Sequence, residues 1–281
     1  MRQGNKLRAL ILDLDGTALN AEKQVTARTA QAVAKLRNKG VVVTIATGRP
    51  PVLIYTHAQR LGINAPYICC NGAAIMPPDN RPGPLYQNSI ACPEMHELLL
   101  YLLNEKIDFH LFSPNTFWYA RMRPEVLEAV EFNPVVPEHW RVSINKLTPR
   151  FIGQAMSQSA SMMLHEGNRP GFAQQLCREF NPDGRFVFIK TYNDYADVLD
   201  KRAQKGAALH RWSRITGIPL EKTAVIGDQD NDLELFRDVG YKIAMGNGSA
   251  NLKQIADYIT LSNNEDGVAH AIEDYLLALA N

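Results

Sequence analysis

Asp13 and Asp15 lie in the run Leu10-Ile11-Leu12-Asp13-Leu14-Asp15-Gly16-Thr17, and their type and spacing suit phosphoryl chemistry. Alternate residues of an extended segment point to the same side, so both carboxylates can face one substrate. One carboxylate can attack phosphorus and form an aspartyl-phosphate. The other can protonate the leaving alcohol and then activate the hydrolytic water. A second acidic cluster, Gly227-Asp228-Gln229-Asp230-Asn231-Asp232, stands far downstream at the end of an apolar run. Mg²⁺ held by the side chains of Asp13 and Asp228 would cancel the repulsion between an anionic nucleophile and an anionic phosphate. Hard oxygen donors suit Mg²⁺ better than Zn²⁺. Lys205, at the start of a helical pattern, supplies a cation for the transferred phosphate. Taken singly, an Asp after a strand is usually a turn or cap residue. It is the order of these groups, each at a strand or helix end, that points to chemistry.

Positioning them requires a sheet. The pattern gives a strand over 7–12, a helix over 26–38, a continuous apolar strand over 41–46, a short helix over 50–62 and a strand over 67–70. Strand and helix in alternation imply right-handed crossovers and a doubly wound parallel α/β sheet. In such a sheet ligands bind beyond the carboxyl ends of the strands. The turns there make Gly16, Thr17, Gly48, Arg49, Asn71, Gly72 and Asn231 candidates for binding phosphate or substrate through hydroxyls, amides and free backbone N–H groups. The breaker cluster over 77–84 marks a junction. Beyond it lies an α+β pattern with a hairpin, 109–112 and 117–120, around Ser113-Pro114-Asn115-Thr116. Alternation resumes at Lys205, with helices over 206–215 and 232–239 and a final amphipathic helix over 266–279. The expected layout is a discontinuous core, 1–83 and 189–281, with an inserted domain over 84–188.

The 281 residues are 46% hydrophobic and 21% charged, the profile of an ordinary soluble globular protein. Lys+Arg 30 against Asp+Glu 29 leaves a net charge of +1, which offers no global field for nucleic acid or an anionic membrane. Asp13 interrupts the first apolar stretch, against a signal peptide, and no run approaches the roughly 20 apolar residues of a membrane span. Cys69, Cys70, Cys92 and Cys177 show no CxxC spacing and read as small hydrophobes of a reducing, cytoplasmic setting. The histidines lack metal-ligand spacing and read as structural. Most aromatics among Phe112, Phe117, Trp118 and Tyr119 read as the inserted domain's own core, and Glu273 and Asp274 as the solvated face of the last helix.

Asp13–Thr17, the strand ending in Ala46-Thr47-Gly48-Arg49, Lys205-Gly206 and Gly227–Asp232 resemble the four motifs of the haloacid dehalogenase (HAD) superfamily. Cys70-Asn71-Gly72-Ala73, the run from Asp200 to Gly206, Ala244-Met245-Gly246-Asn247 and Glu265-Asp266-Gly267-Val268-Ala269 narrow the resemblance to Cof-type phosphatases, closest to the bacterial sugar-phosphatase branch. The resemblance implies a Rossmann-like core with an inserted C2-type cap. By position it implies Asp13 as nucleophile, Asp15 as general acid and base, and Thr47 and Lys205 on the phosphoryl group. It places Mg²⁺ on Asp13, Asp228 and the backbone carbonyl of Asp15, supports those ligands with Asp232, and sets Asn231 and Asn71 near the phosphate or substrate. Members commonly carry a Lys in a cap strand facing the pocket; the corresponding stretch here, 159–164, has none. The expected activity is Mg²⁺-dependent hydrolysis of a small phosphorylated metabolite, a sugar phosphate first, by a monomer or homodimer. Pyridoxal phosphate, flavin mononucleotide or another nucleotide-derived phosphate is an alternative substrate. Phosphoryl transfer to a second sugar, or sensing of a phospho-ligand without turnover, is an alternative activity.

Overall fold

The computed structural model describes residues 6–280 apart from Asn168, Pro170 and Asn193. The chain forms two compact units. The first holds the described residues up to Thr47, then Ile54–Ile68 and those from Lys205 onward; the second holds Gly48–Leu53 and Cys69–Gln204.

The first unit opens with β1 (Ala9–Leu12), four apolar residues with no exposed side chain. Helix α1 (Ala27–Asn38) starts where the Thr26 side chain accepts the Thr29 N–H, and it buries Thr29, Ala32, Val33 and Leu36 at helical spacing. After β2 (Val42–Ile45), helix α2 (Tyr55–Leu61) stops at Gly62, whose φ of 60° is the left-handed conformation glycine adopts without strain. Next comes β3 (Tyr67–Cys69), set beside the end of β2 by the parallel bridge Ala46–Ile68.

The second unit is organised by a six-stranded sheet. It begins with a small antiparallel pair, β4 (Ala74–Met76) and β5 (Tyr86–Gln87), followed by helix α3 (Pro93–Asn104). The expected hairpin is present as β6 (Phe109–Phe112) and β7 (Thr116–Tyr119). Helix α4 (Pro124–Phe132), β8 (Ser143–Lys146), helix α5 (Ile152–Gln158), β9 (Ser161–His165), helix α6 (Phe172–Phe180), β10 (Phe186–Tyr192) and β11 (Tyr195–Asp200) complete it. The sheet order is β10-β11-β9-β6-β7-β8, so strands out to Asp200 belong to it. The breaker cluster and the return of alternation place the expected junctions at 83/84 and 188/189; the second unit extends past both. One face of the sheet, with Phe109, Leu111, Trp118, Met162, Leu164 and Val198, packs with residues of α3, α5 and α6 into one core. Side chains alternate along a strand, so His110, Phe112, Ser161 and Asp197 project from the other face.

The chain returns to the first unit with helix α7 (Lys205–Thr216), β12 (Thr223–Gly227), β13 (Tyr241–Ala244) and β14 (Tyr258–Ile259). All pairings are parallel, in the order β14-β13-β12-β1-β2. The helix expected over 232–239 is only Leu233–Phe236, preceded by the tight turn Asp230–Asp232. The last helix runs as Gly267–Ala271, a wider turn Ile272–Leu276 and Leu277–Leu279. Glu273 on it pairs with Arg28 and Lys35 of α1. Among the described residues no helix is long and apolar enough to cross a membrane.

Candidate active site

The two acidic motifs meet because β1 and β12 are direct neighbours. Leu12 pairs with Ile226 in register, and the Asp13 N–H donates to the Ile226 carbonyl at 3.1 Å. Asp13 and Asp228 therefore leave the sheet from adjacent strand ends, 215 positions apart in sequence, where ligands of parallel sheets bind. Lys205, the first residue of α7, donates to Asp13 Oδ1 at 2.8 Å and to Asp232 Oδ1 at 2.7 Å. The other oxygen of Asp232 accepts the backbone N–H groups of Asp228 and Gln229 at 3.1 and 3.3 Å. Asp228 is held by neutral donors, Thr17 Oγ1 at 2.9 Å and Gln229 Nε2 at 3.1 Å. Gly16 is required here twice over. Its φ is +79°, and a Cβ would stand 2.2 Å from Asp228 Oδ2.

Asp13, Asp228 and Asp232 are buried and offer carboxylate oxygens within 4.8 Å of one another. Burial raises the Asp13 carboxyl well above the usual range, and Asp232 and Asp228 add to this while Lys205 opposes it. Burial likewise pushes Asp228 up to about 6, helped by Asp232 and resisted by its bonds to Thr17 and Gln229. Burial works against the charge on Lys205, but Asp13 and Asp232 outweigh it, and the ammonium stays above its ordinary range. Three buried carboxylates thus share one ammonium. A hard divalent cation fits this donor set, since it would relieve the like-charge crowding with oxygen ligands alone.

The remaining expected residues divide between the units. Thr47 is buried at the end of β2, its N–H bonded to the Ile68 carbonyl at 3.0 Å. Asp15 lies outside the buried trio and receives the Lys23 ammonium at 2.9 Å. Asn231 is half-buried in the turn after β12. Gly48, Arg49, Asn71 and Gly72 belong to the second unit. There the Cys70 N–H donates to the Arg49 carbonyl, and Asn71, left-handed at φ 53°, lays its amide against Gly48. Gly72 lies so close to the Ala203–Gln204 backbone that a Cβ would meet the Ala203 carbonyl oxygen at 2.4 Å.

Several contributors escaped the sequence reading. Lys23 is one. Asn247 Nδ2 donates to the Gly16 carbonyl at 2.8 Å, Asn263 Nδ2 to the Leu19 carbonyl at 2.8 Å, and Asn264 accepts the Ala21 N–H, so three asparagines hold the loop after Asp15. Asn247 sits in a motif already noted, yet nothing in that motif assigned it a partner. Asp197, which accepts the Asn71 amide at 2.5 Å, carried no signal at all.

A Rossmann-like parallel sheet whose adjacent strand ends bring buried aspartates onto one lysine defines a hydrolase core of the haloacid dehalogenase type. Residues 10–272 match the model of the haloacid dehalogenase-like hydrolases, and the chain belongs to that family. It is 29% identical to "Phosphatase YwpJ" of Bacillus subtilis, across 96% of this chain and 100% of that protein. It is 27% identical to "5-amino-6-(5-phospho-D-ribitylamino)uracil phosphatase YitU" of the same organism, across 95% and 96%. A haloacid dehalogenase-like hydrolase from Bacteroides thetaiotaomicron shares the fold with a TM-score of 0.78 at 24% identity, across 96% and 99% of the two chains. The protein is an enzyme, a HAD-type phosphatase.

Proposed function

We propose that the protein is a Mg²⁺-dependent phosphomonoesterase of a small phosphorylated metabolite, with Asp13 as its nucleophile and a sugar or polyol phosphate as its substrate. The observation that carries the reading is Lys205 bridging Asp13 and Asp232 at 2.8 and 2.7 Å beside the buried carboxylate of Asp228. Lys205 holds Asp13 in place and offers positive charge to the phosphoryl oxygens, and the Thr47 hydroxyl and the Thr17 and Gly16 turn add donors. An Asp13 carboxylate oxygen bonds to phosphorus as the ester P–O bond breaks. Asp15 gives its proton to the departing alkoxide, then takes one from the water that attacks the phospho-aspartate. Phosphate leaves and Asp13 is regenerated. Asp13, Asp228 and the Asp15 carbonyl would hold Mg²⁺, which when bound supplies charge neutralisation for an anionic substrate.

A likeness to proteins named for phosphatase activity, one on a phosphorylated ribityl chain, supports the class of reaction and of substrate. That second name also favours a substrate with a heteroaromatic ring, which keeps flavin-type phosphates as the second reading. Asp13→Asn should lower phosphate release from p-nitrophenyl phosphate by about 10⁴-fold or more. EDTA should abolish release, and added Mg²⁺ should restore it. Substantial turnover by Asp13→Asn sinks the mechanism. Phosphate released in less than stoichiometric amount when a second sugar is present points to transfer instead.

A further inference from the structure

The strand end that carries Asp13 runs on into a loop that is tied down along its length. The Gly16 carbonyl accepts from Asn247 Nδ2, the Leu19 carbonyl accepts from Asn263 Nδ2, and the Ala21 N–H donates to Asn264 Oδ1, each at 2.8 Å. Asn247 in turn accepts the Asn263 N–H at 2.9 Å, so the first two asparagines brace one another. Asp15 and Leu19 are joined by a parallel bridge. At the loop's end Asn20 closes a tight turn, its carbonyl taking the Lys23 N–H at 3.0 Å and its side chain the Gln24 N–H at 2.9 Å.

Lys23 has a special place in that turn. Its φ is +58°, the left-handed conformation that a residue other than glycine adopts at a cost. From there its ammonium reaches Asp15 Oδ1 at 2.9 Å. An ion pair between solvent-exposed side chains contributes little, because holding the two together costs side-chain entropy. Here the backbone under both residues is fixed, so much of that cost is met before the pair forms. Strained backbone persists where its surroundings over-determine it, and such places cluster at functional sites.

We infer that Lys23 is a positioning residue, which holds the Asp15 carboxyl group in one orientation so that it meets the departing oxygen. The inference rests on the reading of Asp15 as general acid and base given above. In the first step the P–O bond breaks, its electron pair goes to the leaving oxygen, and the proton on Asp15 moves to that oxygen. The donor must stand within about 2.6–3.2 Å of the atom it protonates. Misplacement by about 1 Å can cost about 10²-fold, and the loss is felt where the leaving group needs the proton. An ammonium on Oδ1 is compatible with a proton on Oδ2, so the same contact serves both halves of the reaction.

Phenyl phosphate and p-nitrophenyl phosphate share the aryl ring, but phenolate is the more basic leaving group and gains more from a proton. With Mg²⁺ present, Lys23→Met should lower kcat for phenyl phosphate by about tenfold and for p-nitrophenyl phosphate by about twofold, with KM for both unchanged. Lys23→Arg, which keeps a cation, should retain most of the phenyl phosphate rate. Lys23→Asn also removes the ammonium but suits the left-handed turn, so it should show the same split even if Lys23→Met fails to fold. In an Asp15→Asn background Lys23→Met should leave the ratio of the two rates unmoved, because the group it positions is gone. A parallel rise in KM for both substrates means that Lys23 binds the phosphate itself, and it overturns the inference. An unchanged ratio in both Lys23→Met and Lys23→Asn overturns it as well. Parallel loss of both substrates in Asp15→Asn alone removes the acid role from Asp15 and takes the inference with it. A split in Asp15→Asn with none in the Lys23 variants overturns the positioning role and leaves the catalytic reading standing.

Discussion

The carboxylate cluster of the first unit and the polar sheet face of the second are both buried, yet they are satisfied differently. Around Lys205 every fully buried side-chain polar atom of Asp13, Asp228, Asp232 and Lys205 has a partner. In the second unit Ser161 Oγ and His110 Nε2 on the sheet face, and Asn71 Oδ1 in the turn before β4, have none among the described residues. The first region is a closed electrostatic machine, with its charges fixed before substrate arrives; this preorganisation is what makes such sites effective. The second leaves its hydrogen-bonding capacity open.

The sharpest way to break this contrast is to remove the shared ammonium. Lys205→Met leaves Asp13 and Asp232 buried without their common counter-charge, the case in which losing one partner costs about 3–5 kcal/mol. Lys205 titrates higher in the fold than in the unfolded chain, so its contribution is complete at neutral pH and fades only under strongly alkaline conditions. The variant should therefore melt earlier at pH 7, recover part of the loss with Mg²⁺, and lose about 10²- to 10³-fold in kcat/KM. A Lys205→Met protein as stable as wild type without metal would show that the cluster is not held by its charges.

The second unit should respond to pH where the first does not respond to this lysine. His110 is buried neutral, facing Glu125, Asp108, Arg123 and His165, and its pKa falls from 6.5 to about 4 on folding. A base with a depressed folded-state pKa contributes stability above its unfolded pKa and loses it as pH falls toward the folded value. Between about pH 6.5 and 4 the wild type should lose roughly 3 kcal/mol through this group. His110→Gln should flatten that acid limb in denaturant titrations at several pH values. An unchanged limb would assign it to other groups.

The sequence made the first region legible and hid most of the second, for a physical reason. Asp13 and Asp228 follow apolar runs that could only be buried strands, and parallel strands place their ends together whatever intervenes. Lys205 was readable because a helix start beside such strand ends is where an anion site forms. Asp197 looks, in sequence, like a polar residue in a strand of alternating pattern. Its meaning comes from Asn71, 126 positions away, and from a left-handed turn that no composition signal predicts. The asparagines on the Gly16–Ala21 loop were hidden similarly, since side-chain-to-carbonyl bonds leave no periodicity. The helix expected over 232–239 begins one residue later, where Asp232 spends its carboxylate on Lys205 and two amides in the tight turn before it, and it stops three residues earlier, at Phe236.

The smallest expected effect concerns packing within the second unit, at Gly48. A Cβ at Gly48 would lie 3.0 Å from both Nδ2 and Oδ1 of Asn71, so the amide has to move by a few tenths of an ångström. Gly48 does not need a positive φ, so the substitution carries no backbone penalty and its effect is confined to that contact. Gly48→Ala should cost about 1 kcal/mol of stability in denaturant titration. Its effect should vanish in the Asn71→Leu background, because the contact it disturbs is gone; additive effects are expected only of independent sites. Equal losses in both backgrounds would mean that Gly48 acts through contacts other than Asn71.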